Sequence, residues 1–187
     1  MLTVKICGIR DAKTAQWAFS EGADYVGLVV TPSPRQLSLA EVRHILASVA
    51  GRFVAVGKDV SEDLFRTLLD LPVSAIQLHG RVPDRWIDRV HDQGKRAIAT
   101  TLDPAADVVL LDGPIPGSGQ VRSWERPRFS RPIWLAGGLS PDNVRQVVVR
   151  LKPDGVDVSS GVERQGQKDW ELIARFIKEA RHGDSSA

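Results

Sequence analysis

The 187-residue chain has one cysteine, so it can form no internal disulfide, which fits a reducing compartment. It also has little net charge: 25 Lys and Arg stand against 23 Asp and Glu, a formal +2. The cations are scattered, with no basic block and no stripe of aromatics among them, which argues against a nucleic-acid partner. No apolar run approaches the ~18 residues of a membrane span, and the first residues carry no charged segment followed by an apolar one. The expectation is a soluble protein of the cytoplasm without a membrane partner. One domain accounts for the length and buries roughly two-thirds of the unfolded surface.

What the sequence does have is alternation. Short β-branched runs at residues 3–7, 25–30, 53–57, 75–79, 97–101, 108–112, 133–137 and 156–159 read as eight strands. Near-continuous apolar runs such as Tyr25-Val-Gly-Leu-Val-Val30 are expected where both faces of a sheet are covered, as in parallel sheets. Helix punctuation lies between them. Asp11 is placed to cap a helix that Gly22 closes, and Ser38-Leu-Ala-Glu41 is a capping box. Ser140 precedes a proline at a first helical position, and Leu172, Ile173, Phe176 and Ile177 recur at helical spacing over 170–181.

Eight βα repeats predict a single-domain α/β fold, a (β/α)8 TIM barrel over residues 1–182, with a disordered tail at 183–187. A doubly wound open sheet is the alternative. Only six residues separate Thr101 from Val108, so the fifth helix is expected to be shortened or missing. The sixth is doubtful because residues 113–131 are rich in Pro, Gly and Arg.

Polar and glycine-rich positions gather at the strand ends: Cys7-Gly8, Ser33-Pro34-Arg35, His79-Gly80, Asp112-Gly113, Gly137-Gly138 and Ser159-Ser160-Gly161. In a closed parallel barrel these ends converge on the face where active sites are built. Leu135-Ala-Gly-Gly-Leu139 and Asp157-Val-Ser-Ser-Gly-Val162 follow the last two strands, where barrels often bind phosphate through backbone N–H groups and hydroxyls. Taken singly, either could be an ordinary turn.

The combination of Lys5-Ile-Cys-Gly-Ile9, Gly22-Ala-Asp24, Ser33-Pro-Arg35, Gln77-Leu-His-Gly80, Leu110-Leu-Asp112, Leu135-Ala-Gly-Gly-Leu139 and Gly155-Val-Asp-Val-Ser-Ser-Gly-Val-Glu163 resembles phosphoribosylanthranilate isomerase. The resemblance runs from residue 4 to about 170, with the motifs in the same order. It implies an intramolecular oxidoreductase, an aldose–ketose isomerase of tryptophan biosynthesis. N-(5-phosphoribosyl)anthranilate becomes 1-(2-carboxyphenylamino)-1-deoxyribulose 5-phosphate by an acid/base Amadori rearrangement, without metal or organic cofactor. By motif match, Cys7 is the base and Asp112 the acid. Arg35 binds the anthranilate carboxylate and His79 lines the pocket. Gly137, Gly138, Asp157, Ser159, Ser160 and Gly161 surround the phosphate. The residue types suit these roles, since a thiol near cations becomes a usable base and a carboxyl in a dry site becomes a usable acid. Without the resemblance, Cys7 equally suits a small core residue and Asp112 the start of a turn.

Some positions depart from the family pattern: Pro116-Gly-Ser-Gly119 and Arg122-Ser-Trp124 after the sixth strand, Gly57-Lys58-Asp59 after the third, and Val29-Val30 in place of aromatic character. Three rival readings remain. A related phosphoribosyl-sugar isomerase of histidine biosynthesis usually carries two aspartates. An indole-glycerol-phosphate synthase would need a lysine acid and an N-terminal extension. A non-catalytic barrel would bind phosphorylated metabolites only. No apolar helix face stands out as an interface, so monomer and homodimer are both left open. Finally, strand alternation sends Lys5 and Cys7 inward on the first strand and Asp157 and Ser159 inward on the eighth. Barrel closure would pair Lys5 with Asp157 beneath Cys7, and the residual field of Lys5 would favour the thiolate.

Overall fold

Eight parallel strands form the centre of the molecule: β1 (Thr3–Cys7), β2 (Tyr25–Val29), β3 (Phe53–Lys58), β4 (Ala75–His79), β5 (Arg96–Ala99), β6 (Val108–Asp112), β7 (Ile133–Ala136) and β8 (Gly155–Val158). They pair in sequence order and β8 returns to β1, closing a barrel. This computed structural model describes residues 1–80, 82–83, 85–113 and 129–185. The expectation for the connection after β6 falls mostly on 114–128 and lies outside them. The outer ring holds helices α1 (Ala12–Ser20), α2 (Leu39–Ser48), α3 (Glu62–Asp70), α4 (Trp86–Asp92), α5 (Val144–Leu151) and α6 (Trp170–Ser185). No helix among the described residues is long and apolar enough to cross a membrane.

Strand alternation sorts the core into two layers. Val4, Ile6, Val26, Leu28, Ala55, Ile76 and Val156 face the helices and join one large apolar cluster. Tyr25, Val54, Val56, Ile98, Val108, Leu110 and Trp134 fill the barrel interior together with Cys7. Gly27 makes room for the chemistry: a Cβ there would lie 2.8 Å from Cys7 Sγ and 3.2 Å from Lys5 Cε.

The helix signals operate as local chemistry requires. The Asp11 side chain accepts from Thr14 N, and Ser38 and Glu41 cap each other's backbone reciprocally. Eight residues join β5 to β6 without a helix, as the short spacing demanded. Two expectations are corrected. Ser140 does not sit directly before the helix; it opens a preceding turn, and α5 begins at Val144 with Asn143 at its N-cap. Residues 183–185 are not a disordered tail, because α6 continues through Ser185. Gly183 is buried, with space for a Cβ blocked at 2.9 Å by Val148, and Asp184 Oδ2 accepts from Leu2 N at 2.9 Å.

Candidate active site

Cys7 ends β1 and Asp112 ends β6, and both line one cavity of about 210 Å³ at the C-terminal mouth of the barrel. Arg35, Gln77, His79, Gly137, Gly138, Asp157, Ser159, Ser160 and Gly161 line it too. Thus each of the six strand ends singled out contributes at least one residue to the same space. Among the described residues, no group of three or more His, Cys, Asp or Glu side chains is arranged to hold a metal.

The floor is a buried ion pair. Lys5 stands opposite Asp157 in the β1–β8 register, and its Nζ donates to Asp157 Oδ2 at 2.9 Å. Lys5 is wholly buried, so a partner is required: a lone interior charge is costly. Burial works against its charge, yet Asp157 and Cys7 outweigh it and the Lys5 pKa is raised. The expected pairing is therefore present. Asp157 accepts from Lys5 through Oδ2 while it also lines the cavity.

The expected thiolate field works differently from the sequence-based reading. Burial is the largest influence on Cys7 and raises its pKa; Lys5 lowers it, Asp157 raises it and Lys168 lowers it, with a net displacement upward. Desolvation of the thiolate outweighs the cations that were expected to stabilise it. Burial likewise raises Asp112, partly offset by His79 and Lys5. A carboxyl displaced upward is suited to donate a proton. His79 is lowered by burial first, and its Nε2 lies 2.5 Å from Nε2 of the buried Gln77, so the two side chains are held together.

The loops after β7 and β8 form a cradle. Gly137 and Gly138 have φ of 76° and 68°, a conformation that side chains rarely adopt. Asn143 fixes them from behind, donating to Gly138 O at 2.8 Å and accepting from Ser140 N at 2.8 Å. A 3-10 turn, Ser160–Val162, follows β8. A Cβ on Gly161 would stand 1.8 Å from Leu139 O, so the two loops abut. Among the described residues, no turn or loop hydrogen bond engages the N–H groups of Gly137 or Gly138. Such donors suit an anion.

Residues 4–179 match the family model of N-(5'phosphoribosyl)anthranilate (PRA) isomerase. The chain belongs to the PRA isomerase family. A PRA isomerase of Streptococcus pneumoniae (strain Hungary19A-6) is 36% identical to it over 196 residues, covering 99% of this chain and 98% of that one. The crystal structure of the PRA isomerase of Thermotoga maritima superposes with a TM-score of 0.84 at 31% identity, covering 97% and 99% of the two chains. A PRA isomerase in complex with reduced 1-(o-carboxyphenylamino)-1-deoxyribulose 5-phosphate superposes at 0.81, with 31% identity over the same shares. The protein is an aldose–ketose isomerase of tryptophan biosynthesis acting on a small phosphorylated molecule.

Arg35 lines the cavity but is not free. Its Nε and Nη2 donate to both carboxylate oxygens of Glu163, at 2.6 and 2.7 Å. Sequence reasoning missed Glu163 as a partner, and it missed Lys168 altogether. Both sit on a hairpin of β9 (Glu163–Arg164) and β10 (Gln167–Lys168). The available signal was Gln165-Gly166, a two-residue hairpin turn between polar residues, with φ of 51° and 74°. Ser159 was expected at the phosphate, and its hydroxyl donates to Cys7 O at 3.1 Å while accepting from Lys168 Nζ at 3.4 Å.

Proposed function

We propose that Cys7 and Asp112 are the base and the acid of this isomerase. The observation that carries the reading is their convergence, from separate strands, on one cavity rimmed by the two abutting anion loops and by Arg35. Asp112 gives its proton to the ribose ring oxygen. The C1′–O4′ bond breaks, and the anilino nitrogen lone pair forms the C=N bond of the Schiff base. The Cys7 thiolate then takes the C2′ proton. The released electron pair makes the C1′=C2′ bond and the C=N pair returns to nitrogen, giving the enolamine. Loss of the enol proton and protonation of C1′ leave the ketone. Product and substrate are isomers, and the steps consume no cofactor.

The remaining roles follow the cavity wall. Backbone N–H groups of Gly137, Gly138, Ser160 and Gly161 take the phosphate, Ser159 bridges that loop to Cys7, and His79 borders the acid. Arg35 takes the anthranilate carboxylate. We place the reaction in the cytoplasm, where a lone thiol stays reduced.

The pH dependence has a definite sign. Both pKa values are raised by burial, so between them the pair holds one proton. The competent form, thiolate with neutral carboxyl, is then a constant minority. kcat/KM should be flat across that span. It should fall below the raised Asp112 pKa, where the thiolate is lost, and above the raised Cys7 pKa, where the acid is lost. The direct test is turnover of PRA generated in place, with product resolved by chromatography and inorganic phosphate added as a competitor. Tight binding of the phosphorylated compound without turnover would mean a non-catalytic barrel instead.

A further inference from the structure

Behind Arg35 stands a group that the rearrangement does not use. The β9–β10 hairpin brings Glu163 and Lys168 together, with side chains only 8% and 6% exposed. Lys168 Nζ donates to Glu163 Oε1 at 2.6 Å, the same oxygen that accepts from Arg35 Nε at 2.6 Å. It also donates to Ser159 O at 3.0 Å. The stem of Arg35 lies over Gly8, where a Cβ would come within 2.4 Å of Arg35 Cδ. Arg35 is thus clamped from two sides. It lines the cavity, while Glu163 and Lys168 stand outside the lining. Hydrogen bonds from Arg35 and Lys168 outweigh the effect of burial and hold the Glu163 carboxyl down to about 2, so it is ionised at neutral pH.

Donors and charge then have to be counted. A guanidinium carries five N–H donors along two bidentate edges. Glu163 occupies the Nε/Nη2 edge, and the Nη1 side remains for a second acceptor. Yet an arginine paired with one buried carboxylate is neutral as a unit and has little attraction for another carboxylate. Lys168 changes that balance: two cations share one carboxylate, leaving a net positive charge on the unit.

We propose that Lys168 is a positioning residue: by neutralising Glu163, it leaves Arg35 the net charge and the free edge with which it recognises the ring carboxylate of the substrate. Glu163 sets the direction of that edge and Lys168 restores its charge. The inference rests on the reading of Arg35 as the carboxylate site.

The test compares two ligands: the reduced product analogue, and the same compound lacking its ring carboxylate. Their affinity ratio measures carboxylate recognition. For the unaltered protein the ratio should be about tenfold or more, as a charge-assisted bidentate contact gives. Lys168→Met should bring the ratio close to one by weakening only the carboxylated ligand, and Lys168→Arg should keep it. In the double variant Glu163→Gln/Lys168→Met, Arg35 is again an unneutralised cation, and most of the ratio should return. A merely structural role for Lys168 predicts no such return. The proposal is overturned if Lys168→Met keeps the full ratio, or if the double variant shows none. Should Lys168→Met prove too unstable to titrate, the double variant decides alone by the same criterion. Arg35→Met separates the two readings. If it keeps the ratio, the carboxylate assignment itself is wrong. If it abolishes the ratio while Lys168→Met does not, only the role of Lys168 fails.

Discussion

The two ends of the barrel are built on opposite principles. At the N-terminal end, the residue before an even-numbered strand repeatedly ties back to the strand before it. Asp24 accepts from Val4 N at 2.7 Å and donates its own N–H to Val4 O at 2.8 Å. Asp107 does the same with Ala97, and Asp154 with Ile133, each carboxylate accepting at 2.8 Å. Ser74 fills the fourth such place through its backbone, donating to Phe53 O at 2.9 Å and accepting from Arg96 N at 3.0 Å. At the C-terminal end the pattern reverses. Gln77 Oε1 and Asp157 Oδ1 are buried without a partner among the described residues, and burial raises the pKa of both Cys7 and Asp112. One end spends its polar groups on the fold, and the other holds them in reserve for a ligand. The lesson is that identical residue types carry different meanings at the two ends: Asp24 is a stitch, while Asp112 faces the cavity with its pKa raised by burial.

Substitutions can break this contrast, and the largest expected effects are at the reactive end. Cys7→Ala and Asp112→Asn should each lower kcat by about a hundredfold or more while the thermal midpoint stays put. Near-native turnover by either variant would remove that residue from the mechanism. At the stitched end the signature should invert. Asp24→Ala leaves the buried Val4 N–H unpaired and removes the contact with Arg181, so stability should drop by about 2 kcal/mol. Urea unfolding checks this, and a shift in KM as large as the stability loss would erase the distinction between the ends.

Between these extremes lies the buried pair beneath Cys7. Lys5 lowers the Cys7 pKa and Asp157 raises it. Asp157→Asn should therefore move the pH midpoint of Cys7 alkylation down, and Lys5→Met should move it up. Midpoints unchanged in both variants would show that neither charge is felt at the thiol. The smallest effect belongs to the last turn of α6. Asp184→Ala removes one half-exposed hydrogen bond to Leu2 N and should cost about 1 kcal/mol, visible as local hydrogen exchange near the N-terminus.

Much of this was legible in the sequence because it followed from periodicity. Apolar runs of strand length located all eight strands, and alternation along β1 and β8 was enough to put Lys5 opposite Asp157. What escaped depends on burial by distant residues, which no local pattern reports. Gly183-Asp-Ser resembles a frayed end, yet Val148 packs over Gly183 and the helix continues. Cys7 stands among cations and was expected to be acidic, but desolvation outweighs them. The Glu163–Lys168 hairpin is polar along its length and offered no apolar rhythm, so its turn signal passed without a partner to assign.

One feature of the ring also bears on how the protein becomes active. Each strand pairing from β1 through β8 joins neighbours in the chain, except the one that closes the barrel. Across that seam lie the Lys5–Asp157 pair and the bond from Ser159 to Cys7 O, each spanning 152 residues. Contacts so far apart in sequence are entropically the last to be worth making during folding. An open sheet of eight strands would have nearly all of its secondary structure and no assembled cavity, so recovered turnover during refolding is a clock for ring closure.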